Sequence, residues 1–130
     1  MEREADNRPV SKHPHRNLEA WKQSMDLVEM IYNVTMKFPQ HELYGLTSQL
    51  RRAAIAVPSN ISEGATGRTN AHFSSYPVTA IGSLSEPDTQ VEPAFRLSYI
   101  THKEFEEISR KVDSCKALVF GLKKSLLKRP

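Results

Sequence analysis

Residues Leu46 to Gly64, LTSQLRRAAIAVPSNISEG, constrain the fold more than any other part of the chain. Their apolar positions, Leu46, Leu50, Ala53, Ala54, Val57 and Ile61, fall three or four apart and so line one face of an α-helix. A helix with one oily face has to bury it against other elements. Ala53, Ala54 and Ala56 leave room for a neighbouring helix to approach closely. Pro58 lacks a backbone donor and crowds the preceding turn, so the spacing predicts a helix kinked there. Gly64 can end it. Arg51 and Arg52 sit beside the oily face.

The rest of the chain supplies the partners. Leu18, Trp21, Met25, Val28, Ile31, Tyr32 and Phe38 keep helical spacing, with Asn17 as N-cap and Pro39 as the stop. Trp21 reads as a core anchor near one end, and Pro39 to Gly45 as a short connection. Between Ala71 and Leu97 a third helical face comprises Phe73, Tyr76, Ala80, Leu84, Val91, Ala94 and Leu97, with Thr69 as a possible cap. Pro77, Pro87 and Pro93 interrupt it. Each interior proline disfavours a helix by about 3 kcal/mol, so two outcomes stay open: one long kinked helix, or shorter pieces joined by turns. Thr101 and Glu104 match a capping box. After them Phe105, Ile108, Val112, Cys115, Val119, Leu122 and Leu126 form an unbroken seam. The expected fold is all-α, an antiparallel up-down four-helix bundle over residues 17–130. Residues 1–16 carry charges, Pro9 and Pro14 but no apolar periodicity, and read as a disordered tail.

Composition removes several kinds of chemistry. The chain of 130 residues fits one domain, and its 5 glycines leave no glycine-rich phosphate loop. Cys115 is the single cysteine, so an internal disulfide is ruled out, and its place in the seam suggests a buried, inert thiol. No apolar run approaches the roughly 18 residues of a membrane span. The N-terminus has no apolar signal core, so a cytoplasmic location is expected. His13 and His15 flank Pro14 without further ligands at metal spacing and read as solvated. His41, His72 and His102 stand alone near helix ends, without the paired His/Glu spacing of di-metal bundles. Ser59, Asn60 and Glu63 have no nearby histidine or cysteine to activate a nucleophile. Ser59, Asn60 and Ser62 instead read as groups that satisfy carbonyls freed at Pro58. No enzyme activity, metal or cofactor is expected.

Charge is the remaining lead. The formal net charge is +3, and its distribution says more than its size. Lys and Arg are absent between Ala71 and Phe95, where Glu86, Asp88 and Glu92 occur. From Arg110 to Arg129 there are seven basic residues against the single acid Asp113. Arg51, Arg52, Arg68, Lys116, Lys123 and Lys124 are the candidate nucleic-acid-binding residues, since cations that neutralise phosphates release counterions. Plainer roles compete. Lys123, Lys124, Lys128 and Arg129 also suit a helix C-terminus, and an acidic third helix can meet a basic fourth helix of another subunit. Adjacent residues point about 100° apart on a helix, so Arg51 and Arg52 cannot both face one phosphate groove equally. One of them can pair with an acid such as Glu63.

Three segments, NLEAWKQSMDLVEMIY, FPQHELYGLTSQLRRAAIAVPSNISEG and IGSLSEPDTQ, together resemble the four-helix-bundle proteins encoded in intervening sequences of 23S ribosomal RNA genes. The likeness runs from about Leu18 to Leu126, and YGLTSQLRRAAIAVPSNISEG is its most specific part. It implies an antiparallel bundle that assembles as a ring-like homopentamer. A related accessory protein of diversity-generating retroelements has this shape, with a basic surface that contacts nucleic acid and a reverse transcriptase. The resemblance supplies no catalytic residues. Pro77, Pro87 and Pro93 depart from it, whereas Gly82, Ser83, Leu84 and Glu86 keep to it. The expectation is a non-enzymatic oligomer that binds RNA or DNA through a basic surface; the alternative is a scaffold that binds another protein without nucleic acid.

Overall fold

The structure, a computed structural model, describes residues 18–65 and 70–127, with side chains for residues 18–64 and 79–121. It contains α1 (Glu19–Thr35), α2 (Ser48–Ala65), α3 (Asn70–Arg96) and α4 (His102–Leu127), and among the described residues no strand. Each helix packs on the next and α1 closes against α4, so the bundle is cyclic in chain order, with α1 diagonal to α3 and α2 to α4. The most extensive interface is α2 with α3. Ala53 and Ala54 of α2 are both buried.

Helix boundaries follow local chemistry more than apolar spacing. Leu18 occupies the N-cap position of α1 and makes no side-chain capping bond. Asn17 and the tail lie outside the described residues. α1 stops at Thr35, before Phe38, through tight turns in which Lys37 N donates to Val34 O and Phe38 N to Thr35 O. The connection is itself wound, as a 3-10 turn (Gln40–Glu42) and a π-helical turn (Leu43–Thr47).

The inward face of α1 is Ala20, Ser24, Leu27, Ile31 and Val34. Of the face expected from sequence, Ile31 and Phe38 are buried and Leu18, Trp21 and Val28 pack against the core, whereas Met25 and Tyr32 do not join it. Trp21, Met25, Val28 and Tyr32 lie on the flank toward α2, half-buried or exposed. Ser24 can occupy the core because its Oγ donates to Ala20 O at 2.6 Å, which removes the cost of an unmade bond. Small residues at 20 and 24 let α4 come near: Ser24 Oγ lies 3.9 Å from Cys115 Sγ. Burial pushes the Cys115 thiol pKa up, and the Ser24 contact opposes that only in part.

α2 continues past Pro58. Pro58 deprives the Ala54 carbonyl of its helical donor, yet Ser59 Oγ donates to Ile55 O at 2.9 Å and Asn60 Nδ2 donates across to Ser83 Oγ on α3. So Ser59 and Asn60 serve a neighbouring carbonyl and the α2–α3 contact. One helix spans Pro77, Pro87 and Pro93. The Pro87 ring is fully buried, and that burial offsets part of its helical cost. α3 ends in a Schellman motif: Tyr99 N donates to Ala94 O at 2.8 Å and Ser98 N to Phe95 O at 3.0 Å. Ser98, at φ 63°, takes the position glycine usually fills.

The capping box of α4 is present. Thr101 N donates to Glu104 Oε1 at 2.9 Å, and Glu104 N donates to Thr101 Oγ1 at 3.1 Å. Lys37 pairs with the same carboxylate and ties the end of α1 to the start of α4. The Lys37 bond, helped by Thr101 N–H, holds the Glu104 carboxyl below its ordinary pKa. Leu50, Val112 and Val119 are fully enclosed. No helix among the described residues is long and apolar enough to cross a membrane.

Candidate nucleic-acid interface

The π-helical turn decides what surrounds Arg51 and Arg52. Gly45 leaves helical geometry there (φ −112°, ψ −113°). A Cβ at that position would lie 2.9 Å from Glu42 Oε1. The Glu42 carboxylate accepts from Leu46 N at 3.4 Å and from the Tyr99 hydroxyl at 3.0 Å, which binds the turn to the α3–α4 link. Burial raises the Tyr99 pKa, and the bond to Glu42 raises it further, so Tyr99 remains the donor. Ser48 Oγ closes the turn from the other side, donating to Gly45 O at 3.2 Å. Thus fixed, the turn presents Leu43 and Tyr44 outward, and Tyr44 is 93% exposed.

These side chains wall a groove of about 520 Å³. Tyr32 of α1 forms one side, Leu43, Tyr44 and Thr47 one end, and Ser48, Arg51, Arg52 and Ile55 of α2 the other side. Among the described residues no carboxylate lines it. A second groove of about 260 Å³ adjoins it at Ile55 and runs between Trp21, Met25 and Val28 of α1 and Pro58, Ser59 and Ser62 of α2.

Arg51 and Arg52 share the first groove but differ in freedom. Arg51 Nε donates to Thr35 Oγ1 at 2.9 Å, and its guanidinium carbon sits 4.7 Å from the centre of the Tyr32 ring. Thr35 Oγ1 in turn donates to Ile31 O at 2.7 Å. This is a cation–π contact with a hydrogen-bonded stem; it pins α2 to α1 and leaves the terminal nitrogens of Arg51 without an acceptor among the described residues. Arg52 is exposed and makes no ion pair or hydrogen bond among the described residues. Neither arginine pairs with Glu63.

The other candidates stand elsewhere. Lys116 on α4 pairs with Asp88 on α3 at 3.1 Å, so an acidic and a basic helix meet within one chain. Its neighbours are also engaged: Lys103 with Glu107, Arg110 with Glu106, and Lys111 with Asp26 and with Gln23 Oε1. Among the described side chains, every Lys and Arg of α4 therefore has an intramolecular partner. Arg68 and the side chains of Lys123 and Lys124 lie outside the described residues. His102 pairs with Glu106, and His41 stands at the edge of the Tyr99 ring. No group of three or more His, Cys, Asp or Glu suited to a metal occurs among the described residues.

Sequence reasoning found the two arginines and missed the tyrosines. Tyr32 was absorbed into a supposed core stripe, and Tyr44 sits in a connection without periodicity. The available signal was the width of the α1 stripe: Trp21, Met25, Val28 and Tyr32, added to Leu27 and Ile31, cover more than one buried face.

Comparison with known proteins places residues 16–121 in the family described as 23S rRNA-intervening sequence protein. Among solved structures, a protein of unknown function from the S23 ribosomal protein family of Bacteroides thetaiotaomicron matches with a TM-score of 0.73 at 20% identity, covering 81% of this chain and 95% of that one. At that identity the likeness shows the fold. No curated protein matches.

Proposed function

Since the chain belongs to the 23S rRNA-intervening sequence protein family, we propose that it is a non-catalytic bundle, acting in the cytoplasm as a homo-oligomeric ring, whose α1–α2 groove binds nucleic acid. The observation that carries this reading is the pair Arg51 and Arg52 on one groove wall, with no carboxylate among the described lining residues. The described cations of α4 are paired within the chain, whereas Arg52 and the outer nitrogens of Arg51 are open to phosphate. A ring repeats the groove, and each phosphate contact adds to the salt dependence of binding. Filter binding of a structured RNA at several salt concentrations tests it. Affinity should fall as salt rises, and Arg52→Ala should weaken binding and lower the salt slope by about one. Arg52 is the cleaner probe, because Arg51 also holds α1 to α2. Affinity that ignores salt, or an Arg52→Ala variant that binds like the parent, overturns the reading.

The second groove supports an alternative, a scaffold for another protein. Its walls include Trp21, Met25, Val28, Ile55 and Pro58, with no basic side chain among the described lining residues. A partner that survives nuclease treatment in a pull-down favours this reading; one released by nuclease favours the first. Light scattering measures the assembly separately: a mass of five subunits supports the ring, and a monomer removes it.

A further inference from the structure

A duplex offers phosphates and hides the faces of its bases, so it can use arginines but not a flat apolar wall. The α1–α2 groove has both. Its volume of about 520 Å³ falls within the range of about 300–1,000 Å³ typical of small-ligand sites. Leu43 and Ile55 make its floor and flank apolar, and Tyr44 stands at its end, 93% exposed on a turn fixed by Glu42 and Ser48. The Tyr32 ring already carries the Arg51 guanidinium 4.7 Å from its centre, so Tyr44 is the ring free to take a second aromatic plane. Arg52 and the terminal nitrogens of Arg51 supply positive charge alongside.

Resting on the reading of this groove as a nucleic-acid interface, we propose that it selects an unpaired nucleotide of a single strand. The base stacks on Tyr44, and the adjoining phosphate is held by Arg52 with Arg51 behind it. Stacking of this kind tolerates every base, because every base has a π-face. The site therefore distinguishes single strands from duplexes without reading sequence.

The test measures fluorescence anisotropy with three probes of equal length: a labelled single-stranded oligoadenylate RNA, the same strand annealed to its complement, and an abasic strand. The single strand should bind tightest. Tyr44→Ala should weaken it about tenfold, and Tyr44→Phe, which keeps the ring, should restore it. Because Tyr44 is 93% exposed, both variants should fold as the parent does, which circular dichroism checks. Duplex or abasic strand bound as tightly as the single strand, or a Tyr44→Ala variant that binds normally while Arg52→Ala does not, overturns the base site and leaves phosphate binding intact. Binding of none of the three probes removes both this inference and the reading beneath it.

Discussion

Ser98 holds φ at 63°, a conformation that costs an L-residue about 1–2 kcal/mol and glycine almost nothing. Ser98→Gly should therefore raise the melting temperature by a few degrees, and thermal unfolding that shows no rise would mean the Schellman turn is not where the strain lies. Glu104 gives a pH-dependent counterpart. Its folded pKa is held down by Lys37 and by Thr101 N–H. The stability it adds is thus complete above the ordinary glutamate pKa and is lost as pH falls through the depressed folded value. Glu104→Gln should lower the melting temperature most near neutral pH, and the gap should close on acidification; a gap constant with pH would contradict the pairing. Arg51 and Arg52 were legible as candidates from sequence. Their division of labour was not, because it depends on Thr35 and Tyr32, which belong to another helix and meet Arg51 only after α1 and α2 pack.

The helices differ in how openly they announce themselves. α4 could be read throughout its described part, since Ile108, Val112, Cys115 and Val119 keep strict spacing and all are buried. In α1 the buried face is shifted from the spacing read in sequence: Ala20, Ser24, Leu27 and Val34 join Ile31, while Trp21 and Val28 pack at its edge. Ser24 and Ala20 look like surface residues in sequence, and only the bond from Ser24 Oγ to Ala20 O makes a serine acceptable in the core. The large apolar residues on the flank wall the grooves: Tyr32 the first, and Trp21, Met25 and Val28 the second. The π-helical turn had no sequence signature beyond Gly45. The prolines of α3 leave its continuity open in sequence, and the structure runs one helix through them. Pro87 is fully buried whereas Pro93 is exposed. Pro93→Ala should therefore restore a helical donor at no packing cost and stabilise the protein by about 1–2 kcal/mol. Pro87→Ala should gain less or lose, since it empties part of the core. Urea unfolding of both variants checks the order; equal gains would mean that Pro87 contributes nothing by packing.

At the scale of the molecule, cyclic packing of four helices pairs the described cations of α4 with acids of the same chain. Asp88 with Lys116 and Asp26 with Lys111 close α4 onto α3 and α1, so two of its cations are paired within the chain. Charge counted along the chain cannot reveal this, because both acids lie far from their partners in sequence. Arg52 and the terminal nitrogens of Arg51 remain unpaired among the described residues and share the α1–α2 groove with apolar side chains. The central claim is that nucleic acid meets the protein there. Photo-crosslinking of bound single-stranded RNA, followed by mapping of the linked peptides, tests it most directly. The account predicts links within Leu43–Ile55, with Tyr44 foremost; links confined to α4 around Lys103–Lys116 would contradict it.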